Sequence, residues 1–350
     1  MRTKMPRRPL QSLAAAALLA SLVAGAPVAA QAADKLSIAL PGIPPVYAGV
    51  MAYVARDAGF YKKYGLDVTI KPMNSGVAAA KAVVSGAVDI SLSPTTPVLN
   101  MVSNAGVPLV GFWGMEKPDW LIGSMDPSKS TCASMKGEAV GVDSPRGARW
   151  IQLANMARAC KLMPDRDIKT VNLSSNVGAA MVAGRLTFGV LHMDDIAVIE
   201  RESGKKVTIV SRLDKVSPGT HYLLLVATRK TLAAKRDQVV RMLAAHIDAI
   251  AYMRDPANVK EVAMMARPTG RKHNDAMNGL VAYNKFEFWP NGHSGLDTKR
   301  LAKTINVQVM VGKRTKGRSG VNPAKTAVTP DALTTDALWK EAVALAKTKK

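Results

Sequence analysis

The sequence is poor in the residue types that metal and redox chemistry draw on. Only two cysteines occur, Cys132 and Cys160, which excludes a multi-cysteine zinc framework and an iron–sulfur centre. The five histidines, His192, His221, His246, His273 and His293, are scattered without paired metal-ligand spacing. No metal and no cofactor is therefore expected. Aromatic residues make up 5% of the chain, too few to interleave with basic residues as a nucleic-acid surface requires, so no nucleic-acid partner is expected. Acidic residues are scarce as well, 26 against 48 Lys plus Arg, for a formal charge of +22. Such an excess speaks to solubility and non-specific attraction rather than to a site. The phosphate-loop, dinucleotide, zinc-helix and nucleophile-elbow signatures are all missing; Gly292-His293-Ser294-Gly295 approaches the last with the wrong spacing. No catalytic residue is assigned, and an enzyme is not expected.

What is present is ample apolar material. The chain has 350 residues, 48% of them hydrophobic, a length that favours about two domains. Arg2, Lys4, Arg7 and Arg8 precede an apolar run from Leu13 to Val23 and the small residues Ala30-Gln31-Ala32. That order reads as a secretory signal peptide over residues 1–32, because the apolar run is short of the roughly 20 residues that span a membrane. Its removal takes four positive charges and leaves +18. In an oxidising compartment Cys132 and Cys160 read as a disulfide within one lobe, and in the cytosol as free thiols.

Downstream, short apolar runs alternate with helical patterns. Strands are expected at 36–40, 67–70, 88–92 and 108–112, then, after the pattern restarts near Met135, at 139–142, 168–173, 186–191 and 206–210. Strands alternating with helices of about ten to fifteen residues mean βαβ units and mostly parallel sheets. Another strand, 222–227, precedes a helical C-terminal segment in which Val239, Leu243, Ile247 and Ile250 share a face. Two α/β lobes with a cleft between them follow.

Small ligands bind beyond the carboxyl ends of such strands, where helix N-termini present free N–H groups. The chain places Pro41 to Val46, Asn74-Ser75-Gly76, Ser93-Pro94-Thr95-Thr96, Asp143 to Gly147 and His192-Met193-Asp194-Asp195 there. Each is equally a helix cap. Trp113 and Trp120 flank the crossing between lobes and suit stacking on a flat ligand or burial in the core; Arg146 and Arg149 suit an acid group.

Three runs carry a resemblance. Ala55-Arg56-Asp57-Ala58-Gly59-Phe60-Tyr61-Lys62-Lys63-Tyr64-Gly65-Leu66-Asp67-Val68, Gly86-Ala87-Val88-Asp89-Ile90, and Met135-Lys136-Gly137 through Gly141-Val142 resemble, in order and spacing, runs of periplasmic solute-binding proteins of the nitrate/sulfonate/taurine and thiamine-pyrimidine precursor type. The resemblance implies a type II periplasmic binding fold of two α/β lobes joined by two crossings. It divides the chain into a first lobe over 33–122, a second over 123–220, and a return to the first lobe with C-terminal helices over 221–350. It implies a periplasmic monomer that captures a small molecule by lobe closure and passes it to the membrane permease of an ABC transporter. Ligand contacts then map onto Pro44, Tyr47, Asn74, Ser93, Thr95, Trp113, Arg146, Gly147, His192 and Asp194. A small organic anion (a sulfonate, taurine, nitrate or a carboxylate) is the expected ligand, and a flat nitrogenous compound such as a thiamine pyrimidine precursor is the alternative. A pyrimidine synthase on the same scaffold is the alternative of another class, but its cysteine-rich motif has no counterpart here. The chain departs from the family pattern at Asp143-Ser144-Pro145-Arg146-Gly147-Ala148 and at Gly184-Arg185-Leu186-Thr187-Phe188.

Overall fold

Ten strands form in the computed structural model, which describes Met1 and residues 32–174 and 176–349. Residues 2–31 of the expected signal peptide lie outside the described residues. In chain order the strands are β1 (Asp34–Pro41), β2 (Leu66–Met73), β3 (Ile90–Pro94), β4 (Leu109–Met115), β5 (Leu121–Ser124), β6 (Ala139–Val142), β7 (Lys169–Asn172), β8 (Phe188–Leu191), β9 (Thr208–Arg212) and β10 (Leu223–Thr228). They make two five-stranded sheets, ordered β2-β1-β3-β10-β4 and β7-β6-β8-β5-β9. Every residue of the inner strand β3 and of β4, which pairs with β10 at the end of the sheet, is buried, Ser91 and Ser93 of β3 included. The edge strand β2 begins by alternating, with Leu66 and Val68 inward and Asp67 and Thr69 outward.

Each sheet contains one reversed strand, and both lie where the chain changes lobe. After β4 the chain crosses through residues 116–120 and enters the second sheet as β5, antiparallel to β8 and β9. After β9 it crosses back through residues 213–222 and enters the first sheet as β10, antiparallel to β3 and β4. The expected boundary after residue 122 therefore cuts through β5. This four-residue strand escapes sequence reading because it is too short to show periodicity.

The family-like run is explained by backbone geometry and anchoring. Gly59 and Gly65 take φ of +79° and +67°, ending the helices Val50–Asp57 and Phe60–Lys63 and turning the chain into β2. Between them Tyr61 Oη lies 2.7 Å from His246 Nε2, and Tyr64 Oη donates to Asp248 at 2.9 Å. Both partners sit on the helix Arg236–Arg254, where Val239, Leu243 and Ile250 of the predicted stripe are buried, Ile247 is only partly buried, and the neighbouring His246 is buried instead. Asp89, in the second run, accepts from the Ser37 N–H and hydroxyl and pairs with Lys235 at 2.7 Å, tying β1 to the segment that opens β3. Cys132 and Cys160 are joined as a disulfide within the second lobe, with Cα atoms 6.0 Å apart.

The disulfide closes a loop of sequence separation 28, so replacing both cysteines with serine is expected to lower the unfolding free energy by roughly 3–4 kcal/mol, read from urea denaturation. His221, held between Thr95 Oγ1 (2.8 Å) and the Gly295 carbonyl (2.7 Å), and His246 are fully buried. Burial pushes their imidazoles down to about 4 and about 3. Both are neutral in the fold, whereas in the unfolded chain they titrate near ~6.5. Their contribution is thus complete above ~6.5 and is lost as pH falls toward those values, because the unfolded chain binds the protons first. Calorimetric unfolding is expected to show net proton uptake between about pH 6.5 and 4; the absence of uptake would contradict neutral burial.

Candidate functional site

The carboxyl ends of both sheets face one another across a narrow cavity of about 30 Å³. From the first lobe come Pro41, Gly42 and Val46 after β1, Asn74 to Gly76 after β2, and Pro94 at the end of β3. From the second come Asp143, Ala148 and Arg149 after β6, Ser174 after β7 and His192 after β8. The crossings add Trp120 and Tyr222. Gly42 is required at the first turn, since its φ is +98° and a Cβ would lie 2.6 Å from the Pro44 carbonyl oxygen. The lobes touch directly across the cavity: Ser174 Oγ donates to the Asn74 carbonyl at 2.5 Å.

A buried charge network forms the wall toward the crossings. His192 Nδ1 lies 3.0 Å from Asp119 Oδ2, and because an ionised carboxylate only accepts, Nδ1 carries the proton. The other ring nitrogen, Nε2, is left for a partner beyond this pair, and His192 lines the cavity. Tyr283 Oη lies 2.5 Å from Asp119 and 2.7 Å from Asp194. Burial, with these carboxylates alongside, pushes its phenol well above the ordinary range, so it stays a donor. Arg271 binds Asp194 at 2.5 Å and Asp195 at 2.6 Å. Against the effect of burial, Arg271 and Arg149 hold the Asp195 carboxyl below its usual range.

The cavity itself exposes three polar groups suited to a ligand. Among the described residues neither Trp120 Nε1 nor His192 Nε2 has a hydrogen-bond partner. A buried unpaired polar atom costs about 1–3 kcal/mol. Trp113 Nε1 and His246 Nδ1 are also unpaired, but they do not line this cavity. Arg149, 3% exposed, donates to the Val190 carbonyl, stands 3.7 Å from Asp195, and lies with its guanidinium carbon 5.3 Å from the Trp120 ring centroid. The His192 and Trp120 rings are in contact, with centroids 3.9 Å apart.

One helix N-terminus here is already occupied. Asp143 accepts from the N–H groups of Ala148 (3.1 Å) and Arg149 (3.0 Å), capping the helix Ala148–Ala157 with the chain's own carboxylate. Burial pushes the Asp143 carboxyl above its ordinary range, against the pull of Arg149. The departure of this turn from the family pattern thus places a built-in anion where helix geometry favours one.

Of the ten expected contacts, Asn74 and His192 line the cavity. The other eight are placed elsewhere. Pro44 borders a separate surface depression beside Arg271. Tyr47 donates to the Ala276 carbonyl at 2.6 Å and stacks on Tyr283. Ser93 donates to the Gly76 carbonyl at 3.2 Å, and Thr95 is paired with His221. Trp113 is fully buried in the first-lobe core, and Gly147 is the residue before the helix that Asp143 caps. Asp194 is turned toward Tyr283 and Arg271. Arg146, with φ of +54°, points to an outer groove, leaving Arg149 as the cavity's cation. Asp119, Ser174, Tyr222, Arg271 and Tyr283 were not among the expected residues. Asp119 adjoins Trp120 at the crossing, which was a usable signal; Arg271 and Tyr283 arrive from a distant helical segment and carry no local pattern.

A family model described as NMT1/THI5 like matches residues 48–258. A search of curated protein sequences returns no match. Among solved structures, a protein from Bordetella bronchiseptica RB50 superposes with a TM-score of 0.72 at 19% identity, over 90% of this chain and 98% of that one. The periplasmic nitrate-binding protein of Synechocystis PCC 6803 gives 0.67 at 15% identity, covering 89% of this chain and 88% of that one. The periplasmic aliphatic sulphonate binding protein of Escherichia coli gives 0.65 at 16%, covering 86% and 91%. At these identities the shared property is the fold.

Asp143→Ala is expected to lower the unfolding free energy by about 1–2 kcal/mol through loss of the cap, with Asp143→Asn losing less because an amide oxygen still accepts. Chemical denaturation of the two variants checks the order, and equal stability of wild type and Asp143→Ala would show the carboxylate is not the cap.

Proposed function

Because this chain belongs to the NMT1/THI5-like family and has the two-lobed periplasmic binding protein fold, we propose that it is the substrate-binding component of an ABC importer. It is read as an exported, periplasmic monomer that closes on a small organic ligand and delivers it to a membrane permease. The observation that carries this reading is Arg149, a buried guanidinium stacked on Trp120 inside a cavity drawn from both lobes. Its neighbours Trp120 and His192, whose Nε1 and Nε2 have no hydrogen-bond partner among the described residues, line the same small cavity. A guanidinium beside an indole N–H suits a carboxylate, sulfonate or nitrate head, in keeping with the nitrate and aliphatic sulphonate binding named for two structural neighbours. Capture needs no bond-making group, and the two cysteines are tied to one another away from the cavity. Closure is stabilised by contacts that the ligand makes to both lobes at once.

A second reading, a flat nitrogenous ring, is supported by the Asp143 carboxylate in the cavity wall and by the joined faces of Trp120 and His192. Asp143 offers an acceptor to a ring N–H, and the aromatic faces offer a stacking platform.

Isothermal titration of the purified chain with an aliphatic sulfonate, taurine, nitrate, a short carboxylate and an aminopyrimidine separates the readings. Binding of one of the anions is expected, weakened about 10–100-fold in Arg149→Gln, the equivalent of roughly 1.5–3 kcal/mol for charge-assisted hydrogen bonds. Binding of the aminopyrimidine alone would move the assignment to the second reading. Silence across the panel, or an Arg149→Gln protein that binds as well as wild type, would defeat the proposal for this cavity.

A further inference from the structure

Outside the cleft, the guanidiniums of Arg146 and Arg166 in the second lobe and of Arg314 and Arg318 in the C-terminal part of the chain line a cavity of about 290 Å³. It borders a second depression of about 330 Å³ that shares Arg146, Arg318 and Ser319. Two carboxylates, Asp165 in the lining and Asp167 beside it, stand against these four guanidiniums. Arg166 pairs with Asp167 at 2.6 Å. The oxygens of Asp165, the acidic residue in the lining, are engaged by Trp150 Nε1 (2.8 Å) and Thr170 Oγ1 (2.5 Å). Among the described residues, Arg146, Arg314 and Arg318 have no carboxylate partner; Arg314 meets only Met163 Sδ at 3.6 Å and Arg318 only the Thr315 carbonyl at 3.2 Å. Three guanidiniums without a carboxylate partner thus border one volume against the single lining carboxylate of Asp165, which leaves the groove net positive.

The groove is also built rather than incidental. Ser319 is 7% exposed, and its Oγ, on the lining of both depressions, has no hydrogen-bond partner among the described residues. The turn that carries Arg318 and Ser319 is fixed: the Ser319 N–H donates to Thr315 Oγ1 at 3.0 Å, Thr315 Oγ1 donates to the Ser319 carbonyl at 2.8 Å, and Asn104 Nδ2 donates to the Gly320 carbonyl at 2.9 Å. A buried hydroxyl without a partner and unpaired guanidiniums from both lobes form the donor set that a multivalent oxyanion satisfies.

We infer that this groove is a second ligand site, separate from the cleft, that takes a small multivalent oxyanion of the phosphate or diphosphate class between Arg146, Arg314, Arg318 and Ser319. An occupant there touches both lobes, so it favours the arrangement that brings them together.

The test is isothermal titration of the full chain with pyrophosphate at constant ionic strength, so that general attraction to a basic protein is held fixed. Saturable binding is expected, with the dissociation constant raised at least tenfold in the Arg314→Gln/Arg318→Gln double variant. Arg146→Gln, from the other lobe and equally exposed, is expected to weaken binding independently, which keeps the test decisive if the double variant does not fold. Arg149→Gln is expected to leave pyrophosphate binding unchanged. No saturable binding at fixed ionic strength, or wild-type affinity in the groove variants, would overturn the inference. Loss of binding in Arg149→Gln would also overturn it by placing the anion in the cleft, while leaving the importer reading intact.

Discussion

The hydroxyl of Tyr283 stands between two buried carboxylates, 2.5 Å from Asp119 and 2.7 Å from Asp194. It has one proton to give, so each carboxylate needs a second donor, and each has one: His192 Nδ1–H for Asp119 and Arg271 for Asp194. These groups come from four places in the chain: the first crossing, the turn after β8, the helix that follows it, and the C-terminal helical segment. A buried network of this kind holds only when every member is satisfied, because removing one partner leaves an uncompensated charge. It joins the first crossing and the turn after β8 to the C-terminal helical segment, beside the cavity that His192 and Trp120 line.

The formal charge of +22 says nothing of this arrangement. Carboxylates from Asp119, Asp143, Asp194 and Asp195 gather in and behind the cleft, where two guanidiniums, Arg149 and Arg271, answer them. The unanswered positive charge is carried outside, including the arginine groove beside Ser319. Such a cleft presents oriented polar groups to a ligand rather than a bulk positive field. Asp143 sharpens the point by capping a helix whose N–H groups would otherwise face an anion.

Local pattern was a good guide wherever one stretch of chain decides the outcome. The βα alternation and the glycine-punctuated run through Gly59 and Gly65 appear as read, as does the apolar stripe on Arg236–Arg254 except at Ile247, which is only partly buried. It failed at β5, whose four residues are recognisable as a strand only by their partners β8 and β9. At the site, strand-end reasoning located Asn74 and His192. It also selected Ser93 and Thr95, whose hydroxyls satisfy buried groups inside the first lobe. The choice between Arg146 and Arg149 was out of reach, since it turns on a left-handed backbone at Arg146 that no composition signals.

By itself, the sequence determined the two α/β lobes, the positions of the turns and the family, because periodicity and glycine placement act over a few residues and survive any arrangement of the rest. The tertiary structure decided which polar groups meet. Asp119, His192, Asp194, Arg271 and Tyr283 are spread over nearly half the chain, and whether a buried carboxylate finds a tyrosine proton or a guanidinium depends on how two sheets settle against each other. Hydrogen bonds are decided over a few tenths of an ångström, a scale that spacing along a chain does not specify.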